Sequence, residues 1–371
     1  MFKIDYRSRD NLPELTIKLI GSFSIDGDLQ YHADLRQLKY YIPPTDPNNL
    51  SYDLDYNAEY TNYKPGTYIK LDDILRWISD NFTQLSKPSR PLSTNEGHWL
   101  DVDFVCRRGA LRTIFCSPYN KFKGWIICAS KYRGTIYLCQ FYIDENQHAN
   151  ESQDKLYSRG FKFEQYMVAD HPSHKPDLSV PLNECEEFRC VFKTKFGNHS
   201  LLYGAEIDGI CSKQPIKDTL VGKTDKFHLI ELKTLPLYGK NTNLNGKLPA
   251  NRVIGWWSQN YLAGIDKTIC GFKNKSIVKM IREYPTQILP QLSKVKCDVN
   301  DCKMFCKIFL DYVKNIVVKD HSECMYKFHW DPSTNNIVHY SEERPNHELY
   351  FFLKPWFIDA MENTESSSLS V

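Results

Sequence analysis

Six segments between residues 124 and 235 (GWIICAS, TIYLCQFYI, FKFEQYMV, FRCVFKTKF, HSLLYGAEIDGI and FHLIELKTL) alternate apolar and polar residues or run β-branched and aromatic. That is the pattern of strands, so the middle of this chain has to build a sheet and cover it. Covering elements are legible on both sides. Residues 13–25 read as a strand or two, residues 71–82 (LDDILRWISDNF) carry a helical period, and a short element starting near Gly109 is stopped by Ser117-Pro118. After the sheet, RVIGWWSQNYLAGI reads as a helix, TICGFK as a strand, and the stretch around Cys302 as a helix. Three strand-like runs follow, CMYKFHWD, NIVHYSEE and ELYFFLKP. Residues 43–67, rich in Pro, Asn, Asp and Tyr, read as a long loop that is functional, mobile or both. No fixed-period repeat and no break in composition divides the chain. The expectation is one mixed α/β domain of the α+β kind over residues 1–360, then a disordered polar tail, 361–371 (MENTESSSLSV).

Charge limits the partners. With 47 Lys+Arg against 45 Asp+Glu the 371-residue chain carries a net +2, which excludes a polybasic protein that coats nucleic acid, so any contact with RNA or DNA must be local. No run approaches the roughly 18 apolar residues of a membrane span, and no membrane partner is expected. The first residues, MFKIDYRSRD, lack an apolar h-region, and the 12 cysteines are expected as reduced thiols. Cys297, Cys302 and Cys306 invite a zinc reading, but Cys302 and Cys306 fall at i,i+4 inside an amphipathic pattern, so buried free thiols are expected and no zinc. The 11 His residues show no ligand spacing, and His199 and His228 are expected to be structural.

Chemistry enters with acids on the strand-like segments. Glu206 and Asp208 are two apart in YGAEIDGI, and a strand would project both from one face; the same arithmetic aligns Glu231 with Lys233 in LIELKT and turns Leu232 back into the sheet. Glu164 closes a third such segment, RGFKFEQ. Clustered carboxylates on a face built for burial repel one another unless a counter-charge is present. A hard divalent cation, Mg²⁺ or Mn²⁺, answers both costs with oxygen ligands, which makes Glu164, Glu206, Asp208 and Glu231 a candidate cradle. An acid-x-Lys pair beside a metal suits phosphodiester hydrolysis. Any one such pair alone reads as the solvated face of a sheet; the joint occurrence of GFKFE, GAEIDG and ELKT ahead of WWSQNYLAG carries the inference.

Arg108-Gly109, GFKFE, GAEID, ELKT and WWSQ together resemble the motifs of the DXO family of RNA 5′-end decapping nucleases, which includes a fungal nuclear protein that partners a 5′-to-3′ exoribonuclease. The resemblance runs from SFSIDGDLQYHADLRQLKYYIPP to GFK at 271–273 and more loosely beyond. It implies a single α/β domain with two central β-sheets flanked by helices and a PD-(D/E)xK-like pocket. It implies cation ligands at Glu164, Asp208, Glu231 and the Leu232 carbonyl, with Glu206 touching water, metal or substrate. Lys233 and Gln259 would contact the scissile phosphate and the nucleophile, and Arg108, with Arg107 and Gly109, would grip a backbone phosphate. Arg189 occupies a further substrate-facing position. Arg76 and Leu29-Gln30 depart from the family pattern, which bears on which 5′ ends are accepted.

The activity so implied is hydrolysis at the 5′ end of single-stranded RNA by two Mg²⁺ or Mn²⁺ ions about 3.5–4 Å apart. It covers decapping of incomplete or non-canonical caps, nicotinamide caps included, pyrophosphate release from 5′-triphosphate ends, and 5′-to-3′ exonuclease action. The expected location is the nucleus, with the cytoplasm as the alternative, and the expected partner a nuclear 5′-to-3′ exoribonuclease. Two other readings stand beside it. One is an interaction module that stabilises such an exoribonuclease through an apolar patch in 325–352; the other, a restriction-type DNA endonuclease, fits the acid-x-Lys pair but not the Arg-Gly or WWSQ motifs. Of Trp256 and Trp257, at most one can face the pocket.

Overall fold

The computed structural model describes residues 1–7, 11–56, 60–62, 70–85, 100–141, 151–237 and 246–368. The principal elements begin with β1 (Leu15–Ile25), α1 (Asp72–Asp80), β2 (Phe104–Arg107), α2 (Arg108–Cys116), β3 (Trp125–Tyr132), β4 (Thr135–Phe141) and α3 (Glu151–Met167). They continue with β5 (Glu187–Phe196), β6 (His199–Glu206), β7 (Gly209–Cys211), β8 (His228–Pro236), α4 (Ala250–Ala263), β9 (Lys267–Asn274) and β10 (Ile277–Pro285). The chain closes with α5 (Val299–Ile316), β11 (Met325–Trp330), β12 (Ile337–Glu343) and α6 (Pro355–Ser368).

Two large sheets result, as expected, with a small third one pairing Leu182–Asn183 and Tyr60–Asn62. The larger runs in the order Phe2–Lys3, β12, β11, β3, β4, β2, β6, β5, β1, Tyr31–His32; the smaller runs Val168–Ala169, Tyr40–Tyr41, β7, β8, β9, β10, Tyr52–Asp53. Residues Ile207 and Asp208, between β6 and β7, carry the chain from one sheet to the other. The main core joins both sheets and the helices: Phe104, Phe192 and Tyr203 from the larger, Leu229, Leu235 and Phe272 from the smaller, and Trp257, Phe305 and Phe309 from α4 and α5. On the other face of the larger sheet, Ile74 and Trp77 of α1 and Phe357 and Met361 of α6 pack with Val105, Val191 and Leu202. Cys302 and Cys306 are free, fully buried thiols in the main core, and both Trp256 and Trp257 are buried there too. His199 is structural in that its ring is held by Asp311, Nε2 to Oδ1 2.7 Å.

Three segments differ from the sequence reading. GFKFE is helical, within α3, because Phe163 and Met167, four apart, share the buried face; the Phe161/Phe163 alternation imitated a strand. ELYFFLKP is irregular: Lys70 Nζ donates to the carbonyls of Leu349 and Phe351 (3.1 and 3.0 Å), and Phe352 and Leu353 turn into the second core. Helix α6 runs through most of the segment expected as a tail, with Met361 buried; residues 369–371 lie outside the described residues. Residues 43–67 contain the short strands Tyr52–Asp53 and Tyr60–Asn62, and Asp55 takes both arms of Arg159 (2.8 and 2.7 Å), tying that segment to α3; 57–59 and 63–67 are outside the described residues.

Candidate active site

Strand β8 carries the centre of the site. Its alternation sends Ile230 and Leu232 into a third apolar cluster with Phe163, Met167 and Ile269, so Glu231 and Lys233 share the opposite face, as the spacing predicts. Glu231 is fully buried. Its Oε1 accepts from Lys233 Nζ and from Gln259 Nε2 of α4, the latter at 2.5 Å. Its Oε2 has no hydrogen-bond partner and stands 3.9 Å from Arg108 Nη1, which is also buried and without one. Two opposite charges thus face each other too far apart to bond, in a place where unpaired polar atoms are costly.

The other acids arrive from two directions. Asp208, in the crossing between the sheets, accepts from the Leu232 N–H at its Oδ2 (2.6 Å). Burial first, and then the charge of Glu231, raises its carboxyl, offset in part by Lys233 and the Leu232 N–H, to about 7. Glu164 comes from α3, which is seated by Phe163 against Gly271 of β9: a Cβ on Gly271 would stand 2.5 Å from the Phe163 ring. Burial, together with the charges of Asp208, Glu206 and Glu231, lifts the Glu164 carboxyl well above its ordinary value against the opposing pull of Lys233. Lys233 is held more basic than usual, its own burial outweighed by Glu231 and Asp208. Glu206 ends β6 opposite Arg189 of β5. Glu164, Glu206 and Asp208 line a cleft of about 660 Å³ whose walls also include Lys39, His174 and Lys175.

The structure gathers Glu164, Glu206, Asp208, Glu231, Lys233, Gln259 and Arg108 around the Leu232 backbone. It places Arg107 and Arg189 differently. Arg107, Nε and Nη2, donates to Asp73 of α1 (3.3 and 2.5 Å), and Arg189 Nη1 lies 3.2 Å from the same carboxylate. Arg189 is also clasped by Glu187, with Nε to Oε2 at 2.5 Å. Although burial alone would raise the Asp73 carboxyl, the two guanidiniums hold it below the ordinary range. Gly109, in the first turn of α2, has open space where a Cβ would stand. Asp73 and Glu187 were not anticipated. The only sequence signal for Asp73 was an acid at the first turn of an otherwise apolar helix face, which reads equally as a favourable charge at a helix N-terminus.

The carboxylates fit a divalent cation by their chemistry. The charges of Glu206 and Glu231 help to raise the carboxyls of Glu164 and Asp208, and Glu231 Oε2 is a buried carboxylate oxygen without a donor. They meet as a charge cluster instead of a finished shell: among the described residues no three His, Cys, Asp or Glu side chains converge as ligands of one ion.

A Glu-x-Lys strand faced by carboxylates from a separate helix and from a crossing between two sheets is the arrangement of a PD-(D/E)xK-type nuclease. The RAI1 like PD-(D/E)XK nuclease family matches residues 17–358, and the chain belongs to that family of hydrolases. It is 30% identical over 358 residues to the decapping and exoribonuclease protein of Bos taurus, covering 92% of this chain and 84% of that protein. The human protein of the same name is 29% identical with the same coverage. Among solved structures, Rai1 of Scheffersomyces stipitis in complex with (3′-NADP)⁺ and calcium superposes with a TM-score of 0.78 at 20% identity, covering 98% of this chain and 100% of that one. Rai1 of Candida albicans in complex with pU5-Mn²⁺ gives 0.77 at 20% identity, covering 98% and 99%.

Proposed function

We propose that this protein is a divalent-cation-dependent hydrolase acting at the 5′ end of single-stranded RNA. The reading covers removal of incomplete or non-canonical caps, nicotinamide caps included, release of pyrophosphate from triphosphate ends, and stepwise 5′-to-3′ hydrolysis. The observation that carries it is the gap between Glu231 Oε2 and Arg108 Nη1, two buried, unbonded opposite charges 3.9 Å apart, which a cation and a phosphate oxygen together would satisfy. Family membership and the decapping and exoribonuclease names of its relatives support the choice of substrate.

Glu164, Asp208, Glu231 and the Leu232 carbonyl, with Glu206 beside them, would hold Mg²⁺ or Mn²⁺, two ions in this reading, which would polarise the phosphoryl oxygen and lower the pKa of bound water. Gln259 and Lys233 both occupy Glu231 Oε1, so they fix the carboxylate plane and leave Oε2 for the cation. Lys233 keeps its proton and supplies a fixed positive charge where negative charge develops in the transition state. Arg108 holds a phosphate oxygen with its free fork arm. The cleft walls carry more acids than lysines, and Lys39 is paired with Asp170, so cations held by the acids would be what draws a phosphate there locally, which suits a protein of net charge +2. Nuclear residence, with the cytoplasm as the alternative, and association with a 5′-to-3′ exoribonuclease belong to the same reading and rest on the motif resemblance alone.

Glu231→Gln tests it. The variant keeps the bond from Gln259 geometrically available but loses the anionic oxygen. With Mn²⁺ and a 5′-triphosphate RNA, release of 5′ products should fall at least about a hundredfold, the scale of losing one charge-stabilising group. Wild-type turnover in this variant would sink the proposal.

A further inference from the structure

Arg107 and Arg108 are adjacent in sequence and serve opposite faces of the larger sheet. Within β2, Cys106 points into the main core while Val105 faces the second core beneath α1. The pleat therefore sends Arg107, still extended at φ −93° and ψ 149°, towards α1. Arg108 begins α2 and turns the other way, to Glu231. On the α1 side, Asp73 is the hub. It takes two arms of Arg107, lies 3.2 Å from Arg189, and receives the Ile74 N–H at 2.8 Å. Asp73, Glu187 and Arg189 are almost wholly buried, and among the described residues two guanidiniums face two carboxylates. Helix α1 can approach this closely because β1 has Gly21 beneath it, where a Cβ would stand 2.3 Å from the Trp77 ring.

We propose that Asp73 is a positioning residue for the active site: by fixing Arg107 at the end of β2 it sets the turn into α2 that presents Arg108 to Glu231, and by holding Arg189 it fixes β5 beside Glu206. The inference rests on the hydrolytic role given to Arg108 and Glu231 above. It reassigns Arg107 and Arg189 from RNA contacts to scaffold. A buried bidentate pair is a rigid anchor, and a misplacement of about 1 Å at a reacting group can cost on the order of 100-fold in rate.

The test compares Arg107→Gln, Arg107→Lys and Asp73→Asn in the full chain, with Mn²⁺ and a 5′-triphosphate RNA, measuring kcat and KM over a range of KCl. Positioning predicts that kcat falls about 10- to 100-fold in Arg107→Gln, that Arg107→Lys does not restore it, and that the salt dependence of KM stays that of the wild type. A crystal structure of Arg107→Gln should show Arg108 displaced from Glu231. A direct RNA contact predicts the reverse: KM rises with kcat unchanged, the salt slope becomes shallower by about one charge, Lys restores KM, and Arg108 stays 3.9 Å from Glu231. That result overturns the proposal. Should Asp73→Asn fail to fold, as removing one partner from buried arginines can cause, Arg107→Gln still decides, because Asp73 keeps Arg189. Wild-type inactivity on RNA would count against the hydrolase reading, and the crystal structure alone would then decide the positioning.

Discussion

Glu231 has two oxygens with different fates. One is saturated by Lys233 and Gln259, and the other is left facing Arg108; the division is what turns a buried acid into a binding group. Its neighbours set the pH behaviour. Asp208 has its carboxyl lifted to about 7 and Glu164 is also lifted, so the folded protein binds these protons more tightly than the unfolded chain does. The stability these groups contribute is therefore full below about pH 4 and is lost as pH rises through about 7. In the cation-free protein, the melting temperature should decline across that window. Mn²⁺ should stabilise the protein more at pH 8 than at pH 5.5, by up to about 2.7 kcal/mol at a hundredfold excess over Kd; calorimetry checks this, and an equal stabilisation at both pH values would contradict it. Spacing alone made Glu231 and Lys233 legible as one face. The Asp73 pairings were not legible, since they join residues 34 and 116 positions apart along the chain, and no local pattern marks such a contact.

At the scale of elements, the site depends on how closely α3 approaches β9. Gly271 allows Phe163 to lie against the strand, and Phe163 precedes Glu164. Gly271→Ala should force the ring away, cost about 1–3 kcal/mol by overpacking, and lower kcat as Glu164 shifts. Gly160→Ala, in the same helix with open space around the added methyl, should be neutral or stabilise by about 0.5–1 kcal/mol. Thermal melts of the two variants separate the effects; equal stability for both would refute the role given to Gly271. The misreading of GFKFE has the same origin. Two phenylalanines two apart satisfy a strand's period, but the face that is buried is defined by Phe163 and Met167, and Met167 lies beyond the motif. Strands β3 to β6 and β8 read correctly because their apolar, aromatic or β-branched runs are local, and ELYFFLKP failed because Lys70, far away in sequence, captures its carbonyls.

For the whole molecule, the decisive feature is the join between the sheets. Glu206 ends a strand of the larger sheet, Asp208 precedes a strand of the smaller, and Glu231 follows on the strand beside it, so the acids meet where the two sheets meet. That convergence was implied by the ordered motifs and by the family resemblance; composition and periodicity led only to a sheet-rich domain. A near-neutral chain with its charge concentrated in one cleft should hold a terminus instead of tracking along a strand. The most direct measurement uses one RNA sequence in two forms, linear with a 5′-triphosphate and covalently circularised, incubated with the protein and Mn²⁺. The account predicts release of 5′ products from the linear RNA, lost in Glu231→Gln, and an intact circle. Cleavage of the circle at a comparable rate, or no cation-dependent product from the linear RNA, would contradict it.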